Sequence, residues 1–130
     1  MTQPGALASR RTLWISWILS AIPIGTMLFS ASMKLHPTPP IVDFTVTHLG
    51  YPATAFMILA ILEVTSAVLY AIPRTAVLGA ILVTGYLGGA IASHFRVGDP
   101  PIFQSLLIVL AWGGLYLREP RLREVLPLRK

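Results

Sequence analysis

The stretch ATAFMILAILEVTSAVLYAI, residues 53–72, decides the fold: 20 residues run without a break in apolar character and carry one charge, Glu63, near their middle. As a helix rising about 1.5 Å per residue, such a run is about 30 Å long, the thickness of a bilayer's hydrocarbon core. Three companions resemble it, Leu13 to Met33, Thr75 to Ser93 and Ile102 to Leu117, with 21, 19 and 16 residues. The last reaches spanning length when counted from Pro100 to Arg118. Barrel strands would be shorter and would alternate polar with apolar residues, whereas a continuously apolar run must pair its backbone groups within itself. The sequence therefore predicts an all-α integral membrane four-helix bundle with spans at about 13–33, 53–72, 75–93 and 100–118. Residues 1–130 form one membrane domain, with a basic tail over 118–130.

Composition agrees with this reading. Hydrophobic residues make up 55% of the chain and charged residues 12%, and the mean hydropathy is +0.72, too apolar for a soluble domain of 130 residues. The chain has no cysteine. Disulfide exchange, a thiolate nucleophile and cysteine-held iron–sulfur or zinc centres are thereby excluded within it.

Punctuation between the runs marks helix ends. Asp99-Pro100-Pro101 offers an N-cap acceptor followed by proline at the first helical position, and Gly50-Tyr51-Pro52 opens the second span similarly. Pro73-Arg74 leaves almost no loop, so the second and third spans must be antiparallel neighbours. Pro23 removes one hydrogen bond inside the first span and is expected to kink it. The longest connection, Lys34 to Pro52, starts extended at its prolines. It then places Val42, Val46 and Leu49 at helical spacing, which predicts a short interfacial helix lying over the bundle's end as a lid.

Cations give the orientation. Arg10, Arg11, Arg74, Arg118, Arg121, Arg123, Arg129 and Lys130 fall on one side of the predicted bundle, against Lys34 and Arg96 on the other. That bias puts both termini and the second loop in the cytoplasm. The formal net charge of +5 is then a membrane feature, suited to anionic lipids at the cytoplasmic face. No recognition fold or interleaving of aromatic and basic residues points to nucleic acid. Ser9-Arg10-Arg11-Thr12-Leu13 has the look of a twin-arginine start, but the apolar region is longer than a signal's about 7–15 residues, so an uncleaved first helix is expected.

Chemistry belongs to the polar residues that a membrane makes costly. Glu63 lies ten residues past Ala53, about 15 Å down its helix, where an unpartnered carboxylate costs several kcal/mol. Thr26, Ser30 and Lys34 recur every four residues on the first span; Glu63, Ser66 and Tyr70 share a face of the second; Tyr86, Ala90 and His94 share one on the third. Three inward stripes predict a polar cleft that opens outward and is closed below Glu63 by apolar packing. Glu63, Lys34, His94 and Tyr86 are its candidate catalytic residues. A buried Glu–Lys pair that only fixes helix register is the competing explanation. His36, Asp43, His48 and His94 share the outer side, but their spacing matches no metal motif, and no metal is expected. Gly85 and Gly89 form a GxxxG with Ser93 continuing the ridge, read as close packing within the bundle ahead of homodimerisation.

These residues carry a resemblance. Phe29 with Lys34-Leu35, Gly50-Tyr51-Pro52, Ile61-Leu62-Glu63 and the run from Gly85-Tyr86-Leu87-Gly88-Gly89-Ala90 to His94-Phe95-Arg96-Val97-Gly98-Asp99-Pro100 make the chain similar to the DoxX-like family of small four-span bacterial membrane proteins. The resemblance covers nearly all of residues 13–117. It implies a four-span fold and a redox setting, since some relatives are named as a membrane subunit of a thiosulfate:quinone oxidoreductase. The leading expectation is an accessory or anchor subunit of a membrane redox system, meeting a membrane protein partner or a second copy. The sequence requires no cofactor, and a quinone-like lipophile is the kind of molecule the cleft would hold. The alternatives are a membrane-embedded enzyme using Glu63 as general acid or base, and a small-molecule transporter.

Overall fold

The computed structural model describes residues 9–125, so Arg129 and Lys130 of the predicted tail lie outside the described residues. Four long helices carry the architecture: α1 (Arg10–Leu35), α3 (Ala55–Ala71), α4 (Ala76–Arg96) and α5 (Ile102–Arg118). A short helix α2 (Pro39–Val42) continues into a π-helical turn, Asp43–His48, and α6 (Pro120–Val125) follows α5. No strand occurs among the described residues. Helix α1 packs on α3 and α5, and α4 packs on the same two, which closes a ring of four with α1 and α4 on the diagonal. We call the end with the N-terminus of α1 the basic end and the opposite one the lid end.

Helix limits follow local chemistry. The Ser9 hydroxyl accepts from the Thr12 amide and caps α1. Helix α1 then runs unbroken through the buried Pro23 to Leu35, longer at both ends than the apolar run alone. Between α3 and α4 the chain turns in a single 3-10 segment, Pro73–Thr75, held by the Thr75 hydroxyl donating to Leu69 O at 2.7 Å.

Two expected caps are corrected. Helix α5 starts at Ile102 with Pro101 at its N-cap, and Asp99 is drawn away by His48 of the lid, 2.7 Å distant. Helix α3 starts only at Ala55, because Pro52 to Thr54 are spent on a turn. The lid is helical as expected, but it begins at Pro39, with the prolines in its first turn where their missing N–H costs nothing.

Small residues fill the interior and large apolar ones the exterior. Ala31, Ala60, Ala67, Ala80 and Ala111 are buried on the bundle axis beside Met27, Val83, Leu87, Leu107 and Leu115. Trp14, Ile18, Phe29, Met57, Ile58, Ile61, Leu78, Ile81 and Val109 are exposed along the same helices. Among the described residues, Arg10–Leu35 and Pro73–Arg96 are long and apolar enough to cross a membrane. Helices α3 and α5 are apolar but have 17 residues each.

The glycine pair of α4 corrects the sequence reading. A Cβ at Gly85 or Gly89 would meet nothing within 4 Å, so neither makes a close helix contact. Close approach occurs instead at Gly79, against the Tyr70 backbone, and at Gly114, where a Cβ would lie 2.8 Å from Ser16 O. At the basic end, Leu122 of α6 is buried in the core cluster.

Candidate functional site

A cavity of about 960 Å³ occupies the lid end of the ring, a size suited to a drug-sized molecule. Its floor is the apolar layer of Met27, Leu87 and Leu107, and its walls include Phe29, Leu59, Leu62 and Phe103. Gly25, Gly85 and Gly89 line it too. The space beside the GxxxG pair is therefore cavity volume, which larger side chains would fill.

Helical spacing brings the polar groups there. Thr26, Ser30 and Lys34 line one wall from α1. Lys34 turns back along its helix, donating to Ser30 Oγ at 2.6 Å and to Glu63 Oε2 at 3.0 Å. The Glu63 side chain is 4% exposed and that of Lys34 16%. A carboxylate so buried is tolerated because the ammonium beside it cancels its charge. Tyr86 and His94 line the opposite wall from α4.

All four sequence-predicted site residues thus share one cavity, and two of them are bonded. His94 makes separate contacts from that pair. Its Nδ1 lies 2.7 Å from Ala90 O, its Nε2 3.4 Å from Gln104 Nε2, and its ring packs at 5.8 Å against Phe44 of the lid. Ser66 and Tyr70 leave the stripe: Ser66 bonds Leu62 O of its own helix, and Tyr70 serves the basic end. The outer histidines and acids stay dispersed, with His36 and Asp43 exposed and His48 held by Asp99.

Two groups escaped the sequence reading. Gln104 lines the cavity from α5, and its buried Oε1 has no hydrogen-bond partner. A lone amide in an apolar span was the available signal, by the same cost argument that singled out Glu63. The second is a polar cluster below the apolar floor. Tyr70 donates to Ala111 O at 2.6 Å and lies 2.8 Å from Ser20 Oγ, which also accepts from Arg118. The Arg118 guanidinium sits 4.1 Å over the Trp17 ring.

The lid covers the mouth with Ile41, Phe44, Thr45 and Leu49. Three contacts hold it down: Arg96 to Leu49 O, Tyr51 to Ser93, and His48 to Asp99. Gly50 has φ +82, which places the lid's exit in the left-handed region that glycine adopts without strain. π-helical turns such as Asp43–His48 are rare and recur at functional sites.

No curated protein and no solved structure matches the chain. One family does: its model, described as the DoxX-like family, matches residues 18–114, from the middle of α1 to the tight contact at Gly114 and thus across the whole cavity. On that match the chain belongs to the DoxX-like family.

Proposed function

We propose that this DoxX-like protein spans the bacterial inner membrane four times with both termini in the cytoplasm, and serves as an accessory or anchor subunit of a membrane redox system, holding a small lipophile under its lid. The observation that carries the reading is the large, apolar-walled cavity with a buried Lys34–Glu63 pair at its side. A bundle with alanines inside and large apolar side chains outside suits lipid as its solvent. Two helices meet the length for crossing, and the 17 residues of α3 and of α5 lie at the lower limit of about 17–25 for a span. Six cations of the described residues crowd the basic end, which favours that end for the cytoplasm and for anionic lipid headgroups.

A lipophile such as a quinone would enter between helices, pack on the apolar walls and set its polar atoms against the ion pair. The protein would gain a rigid platform from the bound molecule, and a partner subunit would gain access to it. A second reading has its own observation. Glu63 and Tyr86 line the same cavity, so a bound substrate would meet a carboxylate and a phenol, the makings of general acid–base chemistry.

Purification from native membranes in mild detergent tests the first reading. A membrane partner and an extractable lipophile are expected together; a lone, empty chain would overturn it. Glu63→Gln and Glu63→Ala separate the two readings. The enzyme reading expects both to lose turnover at an unchanged thermal midpoint, whereas unfolding of both would leave Glu63 as a packing group alone.

A further inference from the structure

The basic end carries a second hollow, of about 650 Å³, far from the lid. Three separate parts of the chain meet around it: the start of α1 at Leu13, the tight turn and first residues of α4 at Arg74 and Val77, and the corner between α5 and α6. Burial of Leu122 in the core cluster holds α6 in place as one wall. Three guanidiniums line this space against one carboxylate. Glu119 Oε1 accepts from the Arg121 backbone amide at 3.3 Å, so part of that carboxylate is spent on α6 itself. Arg118 is committed inward, donating to Ser20 Oγ and lying 4.1 Å over the Trp17 ring, so it supplies fixed positive charge and no free donor. Arg74 and Arg121 are exposed, and neither is in an ion pair among the described residues. Two such guanidinium forks match the oxygens of a phosphate.

The apolar residues beside them say what the phosphate is attached to. Leu13, Val77 and Val125 line the same hollow and are 37%, 40% and 54% exposed. A free anion leaves these side chains bare, whereas an amphiphile covers them with its chains. Trp14 and Trp17 are exposed in the first turns of α1, which suits the depth of a bilayer's interface. Resting on the reading of the basic end as the one that meets anionic headgroups, we propose that this hollow is a binding site for an anionic phospholipid. Arg74 and Arg121 hold its phosphodiester, and its acyl chains lie over Leu13, Val77 and Val125.

Loading the purified full chain in neutral detergent with dioleoyl phosphatidylglycerol or dioleoyl phosphatidylcholine, and counting bound lipid by native mass spectrometry, tests this. The two probes share chains and phosphate, and only the first carries a net charge. Wild type is expected to bind phosphatidylglycerol about tenfold tighter than phosphatidylcholine. Arg74→Gln/Arg121→Gln, at two exposed and unpaired positions, should bring the two lipids within about twofold with phosphatidylcholine binding unchanged. Arg10→Gln/Arg11→Gln removes the same charge from the same end outside the hollow, and it should keep the preference. Equal loss of preference in the two double variants overturns the site and leaves the basic end as a diffuse lipid-facing surface. Equal binding of both lipids to wild type overturns the site and that reading together. Displacement of phosphatidylglycerol by inorganic phosphate present during loading overturns the lipid as occupant and assigns the hollow to a soluble anion.

Discussion

At the basic end Gly79 and Gly114 lie against neighbouring backbone, Ser20 bonds both Tyr70 and Arg118, and the Tyr70 hydroxyl donates to Ala111 O of α5. At the lid end Gly85 and Gly89 face open space, and a polar set of similar make-up, Ser30, Tyr86, Lys34 and Glu63, lines a cavity of about 960 Å³. The same residue types serve close packing at one end and volume at the other. The difference lies in what each glycine faces. Opposite Gly79 is the last turn of α3, just before the tight turn Pro73–Thr75, whereas Gly89 faces the cavity beneath the lid. A helix bundle can therefore anchor itself at one end and keep room for a molecule at the other.

The sharpest way to break this contrast is to add the same side chain at both ends. Gly79→Leu is expected to prevent folding, because even its Cβ would collide with Tyr70 backbone that cannot move aside. Gly89→Leu should fold with a thermal midpoint near wild type, since it grows into the cavity. Comparable losses at both positions would erase the distinction. Tyr70→Phe comes next in size. Removing a hydroxyl that bonds Ala111 O and Ser20 should cost about 1–2 kcal/mol in unfolding experiments and leave ligand binding intact. The smallest effect is at the latch. His48 and Asp99 side chains are 43% and 33% exposed, so His48→Ala should change stability by about 0.5 kcal/mol or less. It should instead speed exchange of amides in the lid, Asp43–His48, measured by hydrogen–deuterium exchange.

Much of the lid-end site was legible because its logic is local. Four-residue spacing along α1 put Ser30 and Lys34 on one face, depth put Glu63 within reach of them, and the bond between Lys34 and Glu63 follows. The same periodicity put Tyr86 and His94 on one face of α4, and both line the cavity. What stayed hidden depends on distances between helices. GxxxG states that two glycines share a face, and nothing in it states whether that face meets a helix or a void. The Asp99 cap failed for a similar reason, since the competing partner, His48, is 51 residues away in sequence. Tyr70 was placed on the inward stripe with Glu63, but its hydroxyl is spent on Ala111 O and Ser20 at the basic end. Gln104 carried a cost signal like that of Glu63 but no periodic companions on α5 to announce a stripe.

The account turns on the lid-end space being a binding site, and native mass spectrometry of the protein released from detergent tests that most directly. Wild type, Gly85→Leu/Gly89→Leu and the control Gly113→Leu would be compared; Gly113 also has nothing within 4 Å of a Cβ but lies outside the cavity lining. The account predicts a small apolar molecule retained by wild type and by the control, and lost from the double variant at an unchanged thermal midpoint. Equal retention by all three proteins, or a bare wild type, would contradict it.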